Sequence, residues 1–360
     1  LDERYATILM STVLTVGIIG CGEITDRRRA AEFEAASGVR IGAVMDIRED
    51  VAADIAERFA VPYTTDQAEL LARPDIDLVY IATPHHLHAE QAVAAAEAGK
   101  HVFVEKPIAV SASEADTVID ACERAGVKLC VCEPYRYQAT YQKAKELIDA
   151  GHLGEVVGTK VSVMARKPTS YWDGGYTGRV KTDWRKSRET SGGGILSTNA
   201  VHNIDGLRFL TGLDVERLSC EFDTFATPVD VEDFCVVTLR WDNGAIGVIE
   251  TSSFLEDGPR EETLRGDRVY GTDGELVVAE PVRVRTNEST PLGPGEEWHR
   301  VPVDTLEPAG LRLIQDFVDA IRNDTEPPIS GEDGRDALAI VQAAYRAGRE
   351  GEAVTLDESG

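Results

Sequence analysis

At 360 residues, with 42% hydrophobic and 28% charged side chains, the chain is long enough for two domains, each with its own core. Its net charge of −26 leaves no basic excess to neutralise phosphates, which argues against nucleic acid and anionic membrane surfaces as partners. The acidic excess is spread along the chain, as on a solvated surface rather than in a disordered tail.

The chain opens on "LDERYATILMST", which lacks the cationic and apolar regions of a secretory signal, and residues 1–12 read as an N-terminal extension. No apolar run approaches the roughly 20 residues that cross a bilayer. A cytoplasmic location is expected. "VLTVGIIG" is a short continuous apolar run, the pattern of a strand buried on both faces of a parallel sheet. After the glycines "RRRAAEFEAA" reads as a helix, "VRIGAVMD" as a second strand ending in Asp46, "VAADIAERFA" as a helix and "VPYT" as a short strand. "DLVYIAT", "HVFVEKP" and "VKLCVCE" follow as strands, separated by the helices "HAEQAVAAAEAG" and "SASEADTVIDACERAG". Strands alternating with helices in this way make a doubly wound α/β sheet, a Rossmann domain over residues 13–133.

Gly20-Cys21-Gly22 follows the first strand, but Thr25 stands where a strict G-x-G-x-x-G has its third glycine. Gly20 permits the tight turn, and Gly22 lets the backbone approach a pyrophosphate at a helix N-terminus. Thr25 is small enough for close packing, and its hydroxyl is expected to cap the helix. Asp46 is placed to bind the ribose hydroxyls and repel a 2′-phosphate, which favours NAD; Arg48 opposes that preference and keeps NADP possible. Glu23, Ile24 and Ile47 flank these positions and complete the expected contacts at this end of the nucleotide.

Residues 134–360 read as a second α/β domain. "VERLSCEFDT", "EDFCVVTLRW", "GAIGVIETSSF" and "DRVYGT" alternate apolar and polar residues around turns such as Asp242-Asn243-Gly244, the pattern of half-buried antiparallel strands. One face of such a sheet needs a cover, either helices or another subunit. The six cysteines, at 21, 122, 130, 132, 220 and 235, have no metal-ligand spacing and are expected to be buried free thiols.

"VYIATPHHLHAEQA", "AGKHVFVEKPIA" and "TSGGGILSTNAVHNIDGLRFLTG", in this order, resemble the glucose–fructose oxidoreductase / inositol dehydrogenase / rhizopine catabolism (Gfo/Idh/MocA) family. The likeness extends to "YQKAKELIDAGHLGEV", "VYGTDGELVV" and the closing helical segments, and Glu105-Lys106-Pro107 is its most diagnostic element. The resemblance implies a Rossmann domain, a C-terminal α/β domain with an open, mostly antiparallel sheet, and a homodimer or homotetramer paired through that sheet, the C-terminal helix packing back on the first domain. It implies hydride transfer between a nicotinamide cofactor and a secondary alcohol or ketone of a sugar, polyol or related carbohydrate.

By the same resemblance Lys106 is the central catalytic group, able to stabilise alkoxide charge or, when neutral, to take the proton. Pro107 is expected to fix the loop, through a cis bond to Lys106. Glu105, Thr83, Pro84, His85 and His88 fall at expected nucleotide contacts. His85, His86 and His88 invite a metal reading, but no carboxylate or cysteine completes a set nearby and no metal is expected. His202 matches the family's proton-relaying histidine. The aspartate usual four residues earlier is Thr198 here, so His202 is expected to lack a carboxylate partner and to have a lowered pKa, with Asn199 on the same helical face binding substrate.

Upstream, "YWDGGYTGRVKTDWRKSRETS" is rich in aromatic and basic residues: Trp172, Tyr176 and Trp184 suit sugar C–H faces, Arg185 and Lys181 suit hydroxyls or a carboxylate, and Arg136 in "EPYRYQ" is expected to reach the same cleft. Two other functions fit the same scaffold. One cleaves glycosidic bonds by transient oxidation, elimination and re-reduction, with no net NADH. The other is a dinucleotide-binding sensor without turnover, which Lys106 and His202 argue against and Thr198 keeps open.

Overall fold

The computed structural model describes residues 13–255 and 266–356; the N-terminal extension, residues 1–12, lies outside the described residues. Strands that are apolar on both sides are stable only with both faces covered. β1 (Leu14–Ile19), β2 (Val39–Met45), β3 (Tyr63–Thr64), β4 (Leu78–Ile81), β5 (His101–Glu105) and β6 (Leu129–Cys132) form a parallel sheet in the order β3-β2-β1-β4-β5-β6. The helix after β1 passes through a π-turn at Thr25–Arg29 and continues as α1 (Ala30–Ala35). It is followed by α2 (Glu49–Phe59), α3 (Gln67–Leu71), α4 (His88–Glu97) and α5 (Ala112–Ala125). Strand order reverses between β1 and β4, and their carboxyl ends open the crevice in which such sheets bind ligands.

The chain then enters a nine-stranded sheet through α6 (Ala139–Asp149) and β7 (Val156–Met164). After α7 (Thr169–Gly174), α8 (Arg188–Ser191) and α9 (Val201–Thr211) come β8 (Val215–Asp223), β9 (Phe234–Trp241), β10 (Ile246–Ser252) and β11 (Asp267–Gly271). β12 (Gly274–Val278), β13 (Val282–Thr286), β14 (Trp298–Val301) and β15 (Val354–Thr355) complete the order β14-β13-β12-β11-β7-β10-β9-β8-β15. All its pairings are antiparallel except β7 with β10. Alternation sends Cys235, Val237, Leu239 and Trp241 of β9 inward, where Tyr141 and Leu147 of α6 and Ile204 and Leu207 of α9 cover them. The buried Trp241 indole donates to Thr159 Oγ1 at 3.0 Å, so its polar edge is not left unpaired. The opposite face alternates Lys160, Thr238 and Glu250 with the exposed Val157 and Ile246, and among the described residues no helix covers it.

The last two long helices join the halves. α10 (Ala309–Asn323) places Leu313, Ile314, Phe317 and Val318 in the first core, where the Phe317 ring lies 5.6 Å from that of Phe103. Phe103 in turn contacts Tyr80 and Phe33, with centroids 5.7 and 6.0 Å away. α11 (Gly331–Glu350) gives Leu338 to this core and Ile340, Val341 and Ala344 to the second. Its N-terminus is closed by a capping box between Ser330 and Asp333. A Cβ at Gly334 would lie 2.7 Å from Val131 Cγ2, so only glycine lets α11 rest this closely on β6.

Candidate active site

The turn after β1 is built for close approach. Gly20 has φ +97°, and a Cβ there would meet the Ala82 carbonyl oxygen at 2.7 Å; at Gly22 a Cβ would meet nothing within 4 Å. A ligand phosphate therefore has an open path to the backbone at the start of the helix, and the loop fits a dinucleotide pyrophosphate. Thr25 does not cap the helix as expected. Its buried Oγ1 donates to the Gly20 carbonyl at 2.6 Å and so ties the helix back onto the turn, the close contact that a third glycine usually permits. Asp46 accepts from Cys21 N at 2.9 Å and from Arg48 N at 3.0 Å, which holds its carboxylate at the end of β2 beside the turn. The Arg48 guanidinium is drawn to Asp50, 2.7 Å away, and Ile47, between Asp46 and Arg48 in the chain, is 82% exposed. Ile24 is half-buried, and Glu23 accepts from Arg27 at 3.0 Å and from Tyr176 N at 2.8 Å, linking the turn to the second half of the chain.

The loop after β4 is held from behind. Thr83 Oγ1 donates to Gln91 at 2.6 Å, and Pro84 is half-buried beside it. His88 is fully buried, its ring nitrogens 2.9 Å from the Thr83 carbonyl and 2.8 Å from that of Pro107. It braces the loop and does not face the crevice, contrary to the expected nucleotide contact. His85 turns the other way, Nδ1 to the Ser191 carbonyl at 2.8 Å and its ring against Trp184 at 4.4 Å, while His86 reaches the Thr190 carbonyl. The rings of His85 and His88 stay 5.6 Å apart, each tied to different backbone carbonyls.

Glu105 is also displaced from its expected role. Its carboxylate is buried, accepting from Arg29 Nε at 2.9 Å and from Tyr80 OH at 2.8 Å. Burial opposes its ionisation, but the charge of the buried Arg29 and these hydrogen bonds hold it below the usual carboxylate range. Parallel pairing sets Glu105 against Cys132, so the next residues, Lys106 and Glu133, leave adjacent strand ends together. The Lys106–Pro107 peptide is cis. Lys106 Nζ donates to the Thr198 carbonyl at 2.6 Å; burial lowers its pKa against the opposing pull of Glu133 and Glu105.

The expectation that His202 lacks a carboxylate partner is wrong. Glu133, 1% exposed, is hydrogen-bonded to His202 Nδ1, and the imidazole stacks on Tyr135 with centroids 4.6 Å apart. Burial pushes the Glu133 carboxyl up to about 8, with Lys106 pulling it back. Burial and the charge of Lys106 push His202 well below its ordinary value, the expected direction from a different cause. Thr198 contributes backbone: its carbonyl holds Lys106, and its buried hydroxyl donates to the Gly194 carbonyl at 2.7 Å rather than to a substrate. Asn199 shares the His202 face, half-buried, in the π-turn Leu196–Ala200 that precedes α9. The start of that turn is fixed by the buried Glu232, which accepts from Gly194 N at 2.7 Å, Leu196 N at 2.9 Å and Tyr345 OH at 2.9 Å.

Of the aromatic and basic segment, Trp184, Arg185 and Tyr176 stay with this cluster. The Arg185 guanidinium lies 4.3 Å over the Trp184 ring, and Tyr176 OH accepts from Lys167 Nζ at 2.7 Å. Lys181 is exposed on the same segment. Trp172 is corrected: it is 3% exposed and packs with Tyr171 and Val231 as a small core. Arg136 is corrected as well, because its guanidinium binds Asp205 at 2.5 and 2.9 Å and Asp333 at 2.8 Å, a buried network joining α9 to α11. Glu133, Lys167 and Glu232 were not singled out from the sequence. Only Glu133 carried a signal: like Glu105-Lys106, it sits at the carboxyl end of an apolar run.

Comparison with known proteins agrees with this geometry. Residues 14–133 match the model described as an oxidoreductase family with an NAD-binding Rossmann fold, and residues 141–277 match the GFO/IDH/MocA C-terminal domain. The chain is 30% identical to D-xylose 1-dehydrogenase (NADP(+)) 2 of Haloferax volcanii, covering 97% of this chain and 100% of that protein. It is 27% identical to myo-inositol 2-dehydrogenase of Thermotoga maritima, over 96% of this chain and 99% of that protein. The crystal structure of aldose-aldose oxidoreductase from Caulobacter crescentus complexed with glycerol superposes with a TM-score of 0.81 at 25% identity, covering 95% of this chain and 99% of that one. With a glycine turn open to phosphate, a lysine and a carboxylate–histidine pair at adjoining strand ends, and both family models matched in order, the chain belongs to the Gfo/Idh/MocA oxidoreductase family.

Proposed function

We propose that this chain is an NAD-preferring dehydrogenase or reductase acting on a secondary alcohol, or the matching ketone, of a sugar or polyol. The observation that carries the reading is the meeting of Lys106, Glu133 and His202 at the carboxyl edge of the sheet that also holds the glycine turn. Bound nicotinamide supplies the two-electron acceptor for the carbinol hydrogen and its bonding pair. Lys106 donates to the reacting oxygen and stabilises the alkoxide charge as its C–O bond becomes a carbonyl. The hydroxyl proton passes to Nε2 of His202, and Glu133 on Nδ1 orients the ring and balances the imidazolium. Asn199 holds a neighbouring hydroxyl, and Trp184 walls the cleft. Gly20, Gly22 and Asp46 would hold the dinucleotide, with Glu23, Ile24, Ile47, Thr83, Pro84 and His85 around it. The half-polar open sheet face is the surface by which two copies pair.

A panel of sugars and polyols, followed by absorbance change with NAD and with NADP, tests the reading. Turnover of a member, with Lys106→Ala lowering kcat by about 10² or more while NAD binding stays within several-fold, is the expected result. Release of an aglycone without net NADH would instead identify the glycoside-cleaving chemistry. NAD binding with no turnover of any kind would identify a sensor.

A further inference from the structure

The cleft holds more positive charge than hydride transfer requires. The Lys167 ammonium and the Arg185 guanidinium stand 4.9 and 5.0 Å from the centroid of one ring, Tyr171. Lys167 also donates to Tyr176 OH, and Arg185 covers Trp184, so three aromatic rings wall the two cations. Both are half-buried, and among the described residues neither makes an ion pair. On the same segment Arg179 and Lys186 are matched, with Asp54 and Asp173.

Among the described residues, the carboxylates of the site are already committed. Glu105 is taken by Arg29, Glu133 is bonded to His202, and Glu23 is shared by Arg27 and Tyr176 N. Both cations act on the catalytic groups: the charge of Arg185 depresses the ionisation of Lys106, and that of Lys167 depresses His202. Burial, with Lys106 and Arg185, pushes Lys167 itself down to about 8. Oxidised nicotinamide would add a further positive charge. Half-buried like charges repel unless an anion enters with the substrate.

Resting on the dehydrogenase reading above, we propose that the substrate is an anionic sugar, bearing a carboxylate or a phosphate ester that Lys167 and Arg185 receive while its reacting hydroxyl lies at Lys106. Arg185 offers the planar fork suited to either anion, and Lys167 a point charge beside it. The buried Tyr171 ring beside both cations lowers the local dielectric and strengthens both contacts.

The test uses the full chain, NAD and matched sets of aldoses and polyols with their aldonates or uronates and their phosphate esters. In at least one set an acidic member should exceed its neutral parent in kcat/KM by at least about tenfold, and the carboxylate and phosphate arms identify which anion. Lys167→Met and Arg185→Met should each lower the acid-to-neutral ratio by about 10- to 100-fold, the scale of a charged hydrogen bond, mainly through KM. Lys167→Arg should restore most of the ratio. Neutral parents turned over as well as their acids would overturn the proposal and leave the dehydrogenase reading standing. Variants that weaken NAD binding instead of changing the ratio would overturn it too, assigning the cations to the dinucleotide phosphates. Absence of turnover in every arm would overturn both.

Discussion

Lys106 and Glu133 adjoin because β5 and β6 run parallel in register, and that adjacency gives the site its pH behaviour. Oxidation needs the Glu133–His202 pair to accept a proton, hence one proton fewer than the neutral acid–imidazole form. With the Glu133 carboxyl pushed up to about 8, oxidation should rise with pH through that region and reduction should be favoured below it. Glu133→Gln should lower kcat by about 10² and flatten the kcat profile of a neutral substrate between pH 7 and 9, leaving His202, pushed low by burial, as its titrating group. An unchanged profile would give the proton to Lys106. At the other end of the crevice Asp46 is pinned beside the turn while Arg48 is drawn to Asp50. Asp46→Ser should therefore raise the affinity for NADP relative to NAD, read from dissociation constants. Tighter NADP binding by the unaltered chain would show that Arg48 leaves Asp50 for the 2′-phosphate. The sequence pointed to Lys106, His202 and Asp46 because each sits beside a local pattern. It misplaced Arg136, Trp172 and Glu105, whose partners, Asp205, Val231 and Arg29, lie far along the chain.

At the scale of elements, the parallel strands were legible because burial on both faces leaves an uninterrupted apolar run, as in β1 and β4. β7 and β12–β15 were not singled out. β14 and β15 are short edge segments, β12 (GELVV) lacks the alternation that marks β9, and β13 (VRVRT) carries it over only 5 residues. The π-turn ahead of α1 was equally invisible, yet from it the buried Arg29 reaches across to Glu105 at the end of β5 and pairs with Glu32 at 2.5 Å. Arg29→Met leaves the Glu105 carboxylate buried without its counter-charge. The expected cost is about 3–5 kcal/mol in denaturant unfolding, with much of it recovered on adding Glu105→Gln. A loss below about 1 kcal/mol would mean that Tyr80 alone satisfies the carboxylate.

For the whole molecule, helices cover one face of the nine-stranded sheet and leave the other half-polar, with Ile246 57% and Val157 47% exposed. If two copies pair there, light scattering should give a dimer or tetramer mass, and Ile246→Glu should shift it toward the monomer. A monomeric unaltered chain would remove the pairing. The passage of α10 into the first core has a consequence for how the molecule is made. Phe317 closes over Phe103, but residues 134–308 are translated in between. At ribosomal rates that interval is roughly 10–35 s, during which the emerging nucleotide half carries an open apolar wound on its flank. The nascent chain must keep that flank shielded until its own far end arrives to seal it.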